Sequence, residues 1–210
     1  MIVDKTEEIR LKNQMKQELY DVQMESETDP MTKLLNRFGV EKYIKQSLQK
    51  EPKTGMMFMF DLDNFKRIND EQGHPKGDEV LKIFANCLKE YFRKQDMIGR
   101  MGGDEFVVFL ETEIPRANLE GKLQKLLEKI REELKEYYEE YGVSTSIGVA
   151  YASEQIGTYE ELYEYTDVAL YIAKRLGKDR YYINEWNIRC MRNECLNCTK
   201  GCKKREILNL

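Results

Sequence analysis

Five consecutive apolar residues, Met56-Met57-Phe58-Met59-Phe60, stop abruptly at Asp61-Leu62-Asp63. Apolarity without polar alternation over a strand length predicts a central strand covered on both faces. Met97–Met101, Phe106–Glu111 and Val143–Ala152 are further strand segments, the last with Gly148 inside it, and Arg180–Ile183 is a short final one. Helical spacing fills the intervals. Thr28-Asp29-Pro30 is a helix-start signal for a helix from about 30 to 49, which Glu51-Pro52 ends. A short helix over Asn64–Glu71 and a long one over Lys76–Phe92 follow, and Asp63-Asn64 is expected to start the first of them as a cap. Pro115 opens a highly charged helix to about 140, and Gly177 closes a helix over Tyr159–Leu176. Gly102-Gly103-Asp104-Glu105 has the chemistry of a hairpin turn between two strands. Interleaved helices and strands with one hairpin predict an α/β (α+β) fold, a mixed and mostly antiparallel central sheet flanked by helices.

Residues 1–28 are polar and free of Gly and Pro, with Leu11, Met15, Leu19 and Val22 in one apolar stripe. Two readings stand side by side: a solvated lead-in helix, or the end of a coiled-coil stalk that pairs two chains. The chain divides accordingly into a linker helix (1–28), one domain (29–185) and a cysteine-rich tail (186–210).

Composition narrows the class. The 210 residues suit one domain with short extensions. Lys and Arg number 34 against 38 Asp and Glu, a net charge of −4 that argues against a nucleic acid polymer as partner. A small anionic nucleotide needs only a local cluster of cations. No apolar run reaches the roughly 20 residues of a membrane span, and the N-terminus, with acids and no apolar core, does not read as a signal peptide. Cysteine usage fits a reducing cytoplasm, because Cys87 stands alone and four others crowd the last 21 residues. A parent protein is free to carry sensory or membrane segments upstream.

Three acids stand at strand ends: Asp61 after the buried run, and Asp104 and Glu105 on the two-glycine turn. If the strands are neighbours, the carboxylates converge at one sheet edge. Polymerase palms and nucleotide cyclases hold two metal ions in this way. Hard oxygen ligands select Mg²⁺ or Mn²⁺, which clamp a triphosphate, activate a hydroxyl and stabilise the leaving oxygen. The glycines permit positive φ and let a nucleotide lie on bare backbone.

The residues around these acids carry a resemblance. Gly102-Gly103-Asp104-Glu105-Phe106 is the signature of the GGDEF family, and FDLDNFKRINDEQGHPKGDEVL (60–81) resembles that family's first metal strand and guanine-binding helices. Asp29-Pro30-Met31-Thr32 through Leu35-Asn36-Arg37 resembles its opening motif, with Met where Leu is commoner. Ser146-Ile147-Gly148-Val149-Ala150 and DVALYIAKRLGKDR (167–180) resemble its late strand and closing helix. Five motifs in family order cover about residues 29–185.

The resemblance implies a bacterial diguanylate cyclase. Such an enzyme condenses two GTP into cyclic di-GMP and two pyrophosphates across a homodimer, with two Mg²⁺ or Mn²⁺ per active site and an upstream sensory domain. It assigns metal binding to Asp61, the Leu62 carbonyl, Asp104 and Glu105, and catalysis to the same three acids. It assigns guanine to Asn69 and Asp78, and a carboxylate suits guanine because N1–H and the 2-amino group both donate. It assigns the triphosphate to Lys174, Lys178 and Lys66, with Lys178 standing where Arg is commoner and lacking its forked donors. Gly102 and Gly103 leave room for ribose and base. His74 is taken as structural rather than as a base. Arg93 and Asp96, an R-x-x-D tetrad nine positions before Gly102, match the inhibitory site that holds cyclic di-GMP. The alternative is a non-catalytic receptor for GTP or cyclic di-GMP, which the intact signature disfavours.

Outside the resemblance, Cys190, Cys195, Cys198 and Cys202 form C-x4-C-x2-C-x3-C before Lys203-Lys204-Arg205. This pattern suits a zinc ion; an iron–sulfur cluster or a tail of free thiols also fits. Cys87, among Leu81, Phe84 and Leu88, is expected to fill core.

Overall fold

The computed structural model describes residues 9–16 and 26–184. Six strands form one sheet in the order β1-β3-β4-β2-β5-β6: β1 (Leu35–Asn36), β2 (Met56–Asp63), β3 (Met97–Gly102), β4 (Glu105–Leu110), β5 (Ser144–Tyr151) and β6 (Tyr181–Ile183). The three central pairings are antiparallel and the two outer ones parallel, so the sheet is mixed and mostly antiparallel, as the sequence predicts. The apolar run is the central strand β2, buried along all eight residues between β4 and β5.

Strand alternation sends β2 side chains to two different cores. Met56, Phe58, Phe60 and Leu62 join the core under α2 (Phe65–Gln72), α3 (His74–Tyr91), α4 (Arg116–Glu133) and α5 (Lys135–Tyr141). Met57 and Met59 join the core under α1 (Arg37–Ser47) and α6 (Tyr159–Arg175). Cys87 fills the first core as expected, and burial pushes its thiol up to about 12.

Three expectations are corrected. The opening signal does not start a helix at 30. Asp29 instead caps a turn, accepting from the Thr32 amide and hydroxyl at 2.7 Å each. Lys33 then takes φ 56°, which a right-handed helix cannot contain. The chain runs through β1 before α1 begins at Arg37, capped by Asn36, whose side chain accepts from the Gly39 amide at 2.9 Å. The charged helix is two helices, α4 and α5, broken at Leu134 (φ −104°, ψ 19°), a buried residue with no Gly or Pro to announce the break. Asp63 is the last residue of β2, 2% exposed, and not a helix cap.

Thr158 starts α6 with a reciprocal capping box, its hydroxyl accepting from the Glu161 amide at 3.2 Å. No described helix is long and apolar enough to cross a membrane. In the N-terminal stretch, residues 9–16 are helical and Leu11 and Met15 are exposed, while Leu19 and Val22 lie outside the described residues.

Candidate active site

The odd-numbered row of β2 changes character along its length. Met57 and Met59 are followed by Asp61 and Asp63, so two carboxylates emerge on the side of the sheet where α6 packs. Leu62 points the other way into the core, leaving its backbone at the strand end.

The β3–β4 turn is brought alongside by pairing. Asp61 lies opposite Glu105 in the register, and the Leu62 amide donates to the Asp104 carbonyl at 3.3 Å. Gly102 and Gly103 have φ of 139° and 54°, and a Cβ on either would meet nothing within 4 Å. Backbone conformation, not crowding within the chain, is what calls for glycine there. Arg100 fastens the turn from behind. Its Nη2 and Nε donate to the Gly103 carbonyl at 2.7 and 3.0 Å, and its Nη1 pairs with Asp29 at 3.3 Å. Partial burial pulls the Asp29 carboxyl upward. Donation from Thr32 and the charge of Arg100 outweigh it and hold the group below its usual range.

A cleft of about 260 Å³ opens at this edge. It gathers Asp61, Leu62 and Asp104 with the cations Lys66, Lys174 and Lys178. Lys174, from the last turn of α6, pairs with the Asp61 carboxylate at 2.5 Å. Burial pushes the Asp61 carboxyl up to about 6, and the negative charges of Asp104 and Asp63 add to this while Lys174 opposes it. A buried carboxylate with a second one beside it, the first already drawing an ammonium, forms a site that favours a further positive charge. Among the described residues no group of three or more His, Cys, Asp or Glu side chains is placed to hold a metal ion by itself. The carboxylates of Asp61 and Asp104 are hard oxygen donors, a set that fits Mg²⁺, which characteristically takes one or two carboxylates and completes its shell with substrate phosphates and water.

The diguanylate cyclase GGDEF domain model matches residues 26–180. The chain belongs to the GGDEF diguanylate cyclase family. It is 37% identical over 170 residues to diguanylate cyclase DgcP of Pseudomonas aeruginosa, covering 77% of this chain and 24% of that protein. Diguanylate cyclase DgcS of Shewanella oneidensis is 35% identical over 167 residues, covering 78% of this chain and 55% of that protein. The chain thus spans between a quarter and just over half the length of these relatives. A microbial GGDEF domain whose structure records an interaction with cyclic di-GMP superposes with a TM-score of 0.63. It is 33% identical, and the match covers 77% of this chain and 99% of that one.

The remaining predicted residues of the GGDEF domain lie around the cleft or apart from it. Glu105, Gly102, Gly103, Asn69 and Asp78 are not among its lining residues. Asn69 lies on α2 and Asp78 in the first turns of α3. A Cβ on Gly77 would stand 2.1 Å from Asn69 Oδ1, so a bare backbone lets Asn69 pack against the turn of α3 next to Asp78 in sequence. His74 is exposed at the start of α3. Arg93 and Asp96 form a tight turn, the Arg93 amide donating to the Asp96 carboxylate at 2.7 Å and the Asp96 amide to the Arg93 carbonyl at 2.9 Å. A second cavity of about 260 Å³ opens beside this turn, floored by Phe58, Phe92, Leu119 and Leu123. The cysteines from Cys190 to Cys202 lie outside the described residues.

Sequence reasoning missed Asp63, Asn64, Arg100 and Asp179. The Asp63 carboxylate accepts from Ser144 Oγ at 2.9 Å, from Ser146 Oγ at 2.9 Å and from the Asp179 amide at 3.0 Å. A signal existed: Asp61 and Asp63 share a strand face, and Ser144 and Ser146 repeat that spacing on the next strand. Asn64, at φ 60°, accepts from Lys178 Nζ at 2.9 Å and donates to the Gly142 carbonyl at 2.8 Å.

Proposed function

We propose that the chain condenses two GTP molecules into cyclic di-GMP and two pyrophosphates. The observation that carries this reading is the cleft in which Asp61 and Asp104 face each other with Lys174 and Lys178 on the same rim. Carboxylates beside lysines suit a ligand that brings phosphates and a divalent cation together.

Asp61, Asp104 and the Leu62 carbonyl would hold Mg²⁺ or Mn²⁺, two per site, with Glu105 near enough along the register to contribute. When bound, the metal lowers the pKa of the attacking hydroxyl and neutralises charge on the transferring phosphate. Lys174, Lys178 and Lys66 hold the triphosphate, and release of Lys174 from Asp61 frees it for that purpose. Asn69 and Asp78 read the guanine edge. The 3′-hydroxyl of each GTP gives its proton to solvent water and its oxygen bonds to the α-phosphorus of the other, whose bond to pyrophosphate breaks. One chain holds one GTP, so two chains must face each other, and the apolar stripe of Leu11, Met15, Leu19 and Val22 would serve to pair them. Arg93 and Asp96 bind cyclic di-GMP as a product inhibitor, the adjoining cavity giving apolar surface beside the guanidinium. An upstream sensory domain, a cytoplasmic setting and a zinc-binding tail complete the reading.

The test is purified protein with GTP and Mg²⁺, products read by mass spectrometry, beside Asp104→Ala. Cyclic di-GMP from the wild type, with a loss of at least about 10³-fold in the variant, is expected for a group acting on transition-state charge. GTP bound but never converted, even in a crosslinked dimer, would replace the cyclase with a receptor.

A further inference from the structure

Lys178 and Asp179 follow one another with φ of 63° and 50°. For non-glycine residues the left-handed region costs about 1–2 kcal/mol each, so other contacts must hold the turn. Every polar group of Asp179 is occupied. Its amide donates to Asp63 Oδ2 at 3.0 Å. Its carboxylate accepts from Arg131 Nε at 2.9 and 3.0 Å and from the Tyr138 hydroxyl at 3.3 Å. Its carbonyl accepts from Arg131 Nη2 at 3.2 Å. Asp63 is itself fixed by two serine hydroxyls from β5, and Arg131 projects from α4. Lys178, by contrast, is exposed, and one contact, with Asn64, aims its ammonium at the cleft. Fixing an ammonium on four flexible carbons costs rotamer entropy, so a Cα already in place limits what binding must order.

We infer that Arg131 and Asp63 are positioning residues for the nucleotide site: acting through Asp179, they hold the left-handed turn that presents Lys178 to the GTP triphosphate. The inference rests on the reading of Lys178 as a phosphate ligand. Neither residue touches the nucleotide in this account. Arg131 pulls from the α4 side and Asp63 from the sheet, and the turn is caught between them.

A purely structural clamp would tie α4 to the sheet and leave Lys178 irrelevant, so the experiment asks whether Arg131 acts through Lys178. The full chain is titrated with 3′-deoxy-GTP and Mg²⁺, a probe that lacks the attacking hydroxyl and binds whether or not the chain turns over. Lys178→Ala is expected to weaken binding about tenfold, as for one lost charge-assisted phosphate contact. Arg131→Ala should weaken it about three- to fivefold, and the double variant should bind no more weakly than Lys178→Ala alone, the signature of a shared route. With GTP as substrate, Arg131→Ala should raise KM and leave kcat within about twofold, and Arg131→Lys should recover part of the loss. Asp179→Asn, which keeps a residue tolerant of positive φ while removing the charge, should show the same non-additivity and serves if Arg131→Ala melts early. Wild-type affinity in both Arg131→Ala and Asp179→Asn, or losses that add in full to that of Lys178→Ala, would overturn the inference. If Lys178→Ala binds like wild type, the phosphate reading of Lys178 fails instead, and the inference falls with it.

Discussion

On the side of the sheet covered by α3 and α4, Phe58, Phe60, Phe84 and Phe106 meet ring to ring, with centroids between 4.9 and 6.5 Å apart. On the side covered by α1 and α6, the closest approaches occur where a side chain is missing. A Cβ on Gly148 would stand 2.3 Å from the Leu170 amide nitrogen and 2.4 Å from the Thr166 carbonyl oxygen, and one on Gly99 would stand 2.6 Å from Val40 Cβ. The first side gains stability from buried aromatic area. The second brings a helix backbone hard against the sheet, and that helix carries Lys174 to within 2.5 Å of Asp61. Against the sheet itself, bulk therefore serves the fold on the first side and its absence serves the site on the second, while between the helices of the first side Gly77 makes room for Asn69.

Removing bulk from the first side should have the largest effect on stability and a small one on binding. Phe84 is fully buried between Phe60 and Phe106. Phe84→Ala should cost about 3–5 kcal/mol in a denaturant titration, while the folded fraction binds 3′-deoxy-GTP with wild-type affinity.

Adding bulk to the second side should couple the two properties. Gly148→Ala forces α6 away from β5, because the obstructing atoms are backbone and cannot rotate aside. The stability loss should be about 1–3 kcal/mol. Nucleotide affinity should also fall about tenfold, the expected result of moving one charged contact out of reach. Unchanged affinity in the folded fraction would mean that the close approach of α6 does not set the position of Lys174.

The same contrast explains what was legible in the sequence. The apolar run ending in Asp61 and the two-glycine turn are local patterns, and each specified its own element. The mixed sheet followed from their order. The role of Asp63 was not local: its partners Ser144 and Ser146 lie on another strand, and its third donor is the amide of Asp179. Read against its neighbours alone, Asp63-Asn64 has the composition of a helix cap, and only strand parity tells against it. The break at Leu134 was invisible for a related reason. Burial of Leu134, Tyr137 and Tyr141 in one core bends the helix without a breaking residue. The opening turn was misread because Asp29 does cap backbone there, but the chain at Lys33 turns back toward β1 instead of coiling on.

The smallest expected effect separates close packing in general from close packing that serves the site. Gly99 approaches α1, and α1 contributes no side chain to the cleft. The obstructing group is the Val40 side chain, stiff at χ1: its Cβ at 2.6 Å stays in any residue but glycine, while its two γ-carbons at 2.8 and 3.0 Å can be removed, unlike the backbone opposite Gly148. Gly99→Ala should therefore cost about 1 kcal/mol, at the low end for overpacking, and leave nucleotide affinity unchanged. Val40→Ala alone should also destabilise by opening a cavity, yet the pair Gly99→Ala with Val40→Ala should cost somewhat less than the sum of the two, since loss of the γ-carbons at 2.8 and 3.0 Å relieves part of the crowding and leaves only the Cβ at 2.6 Å. Thermal melts of the four proteins, each paired with a 3′-deoxy-GTP titration, give both readings. A loss of affinity in Gly99→Ala as large as that in Gly148→Ala would mean that the whole α1 and α6 layer moves as one body. The special role assigned to the α6 contact would then be lost.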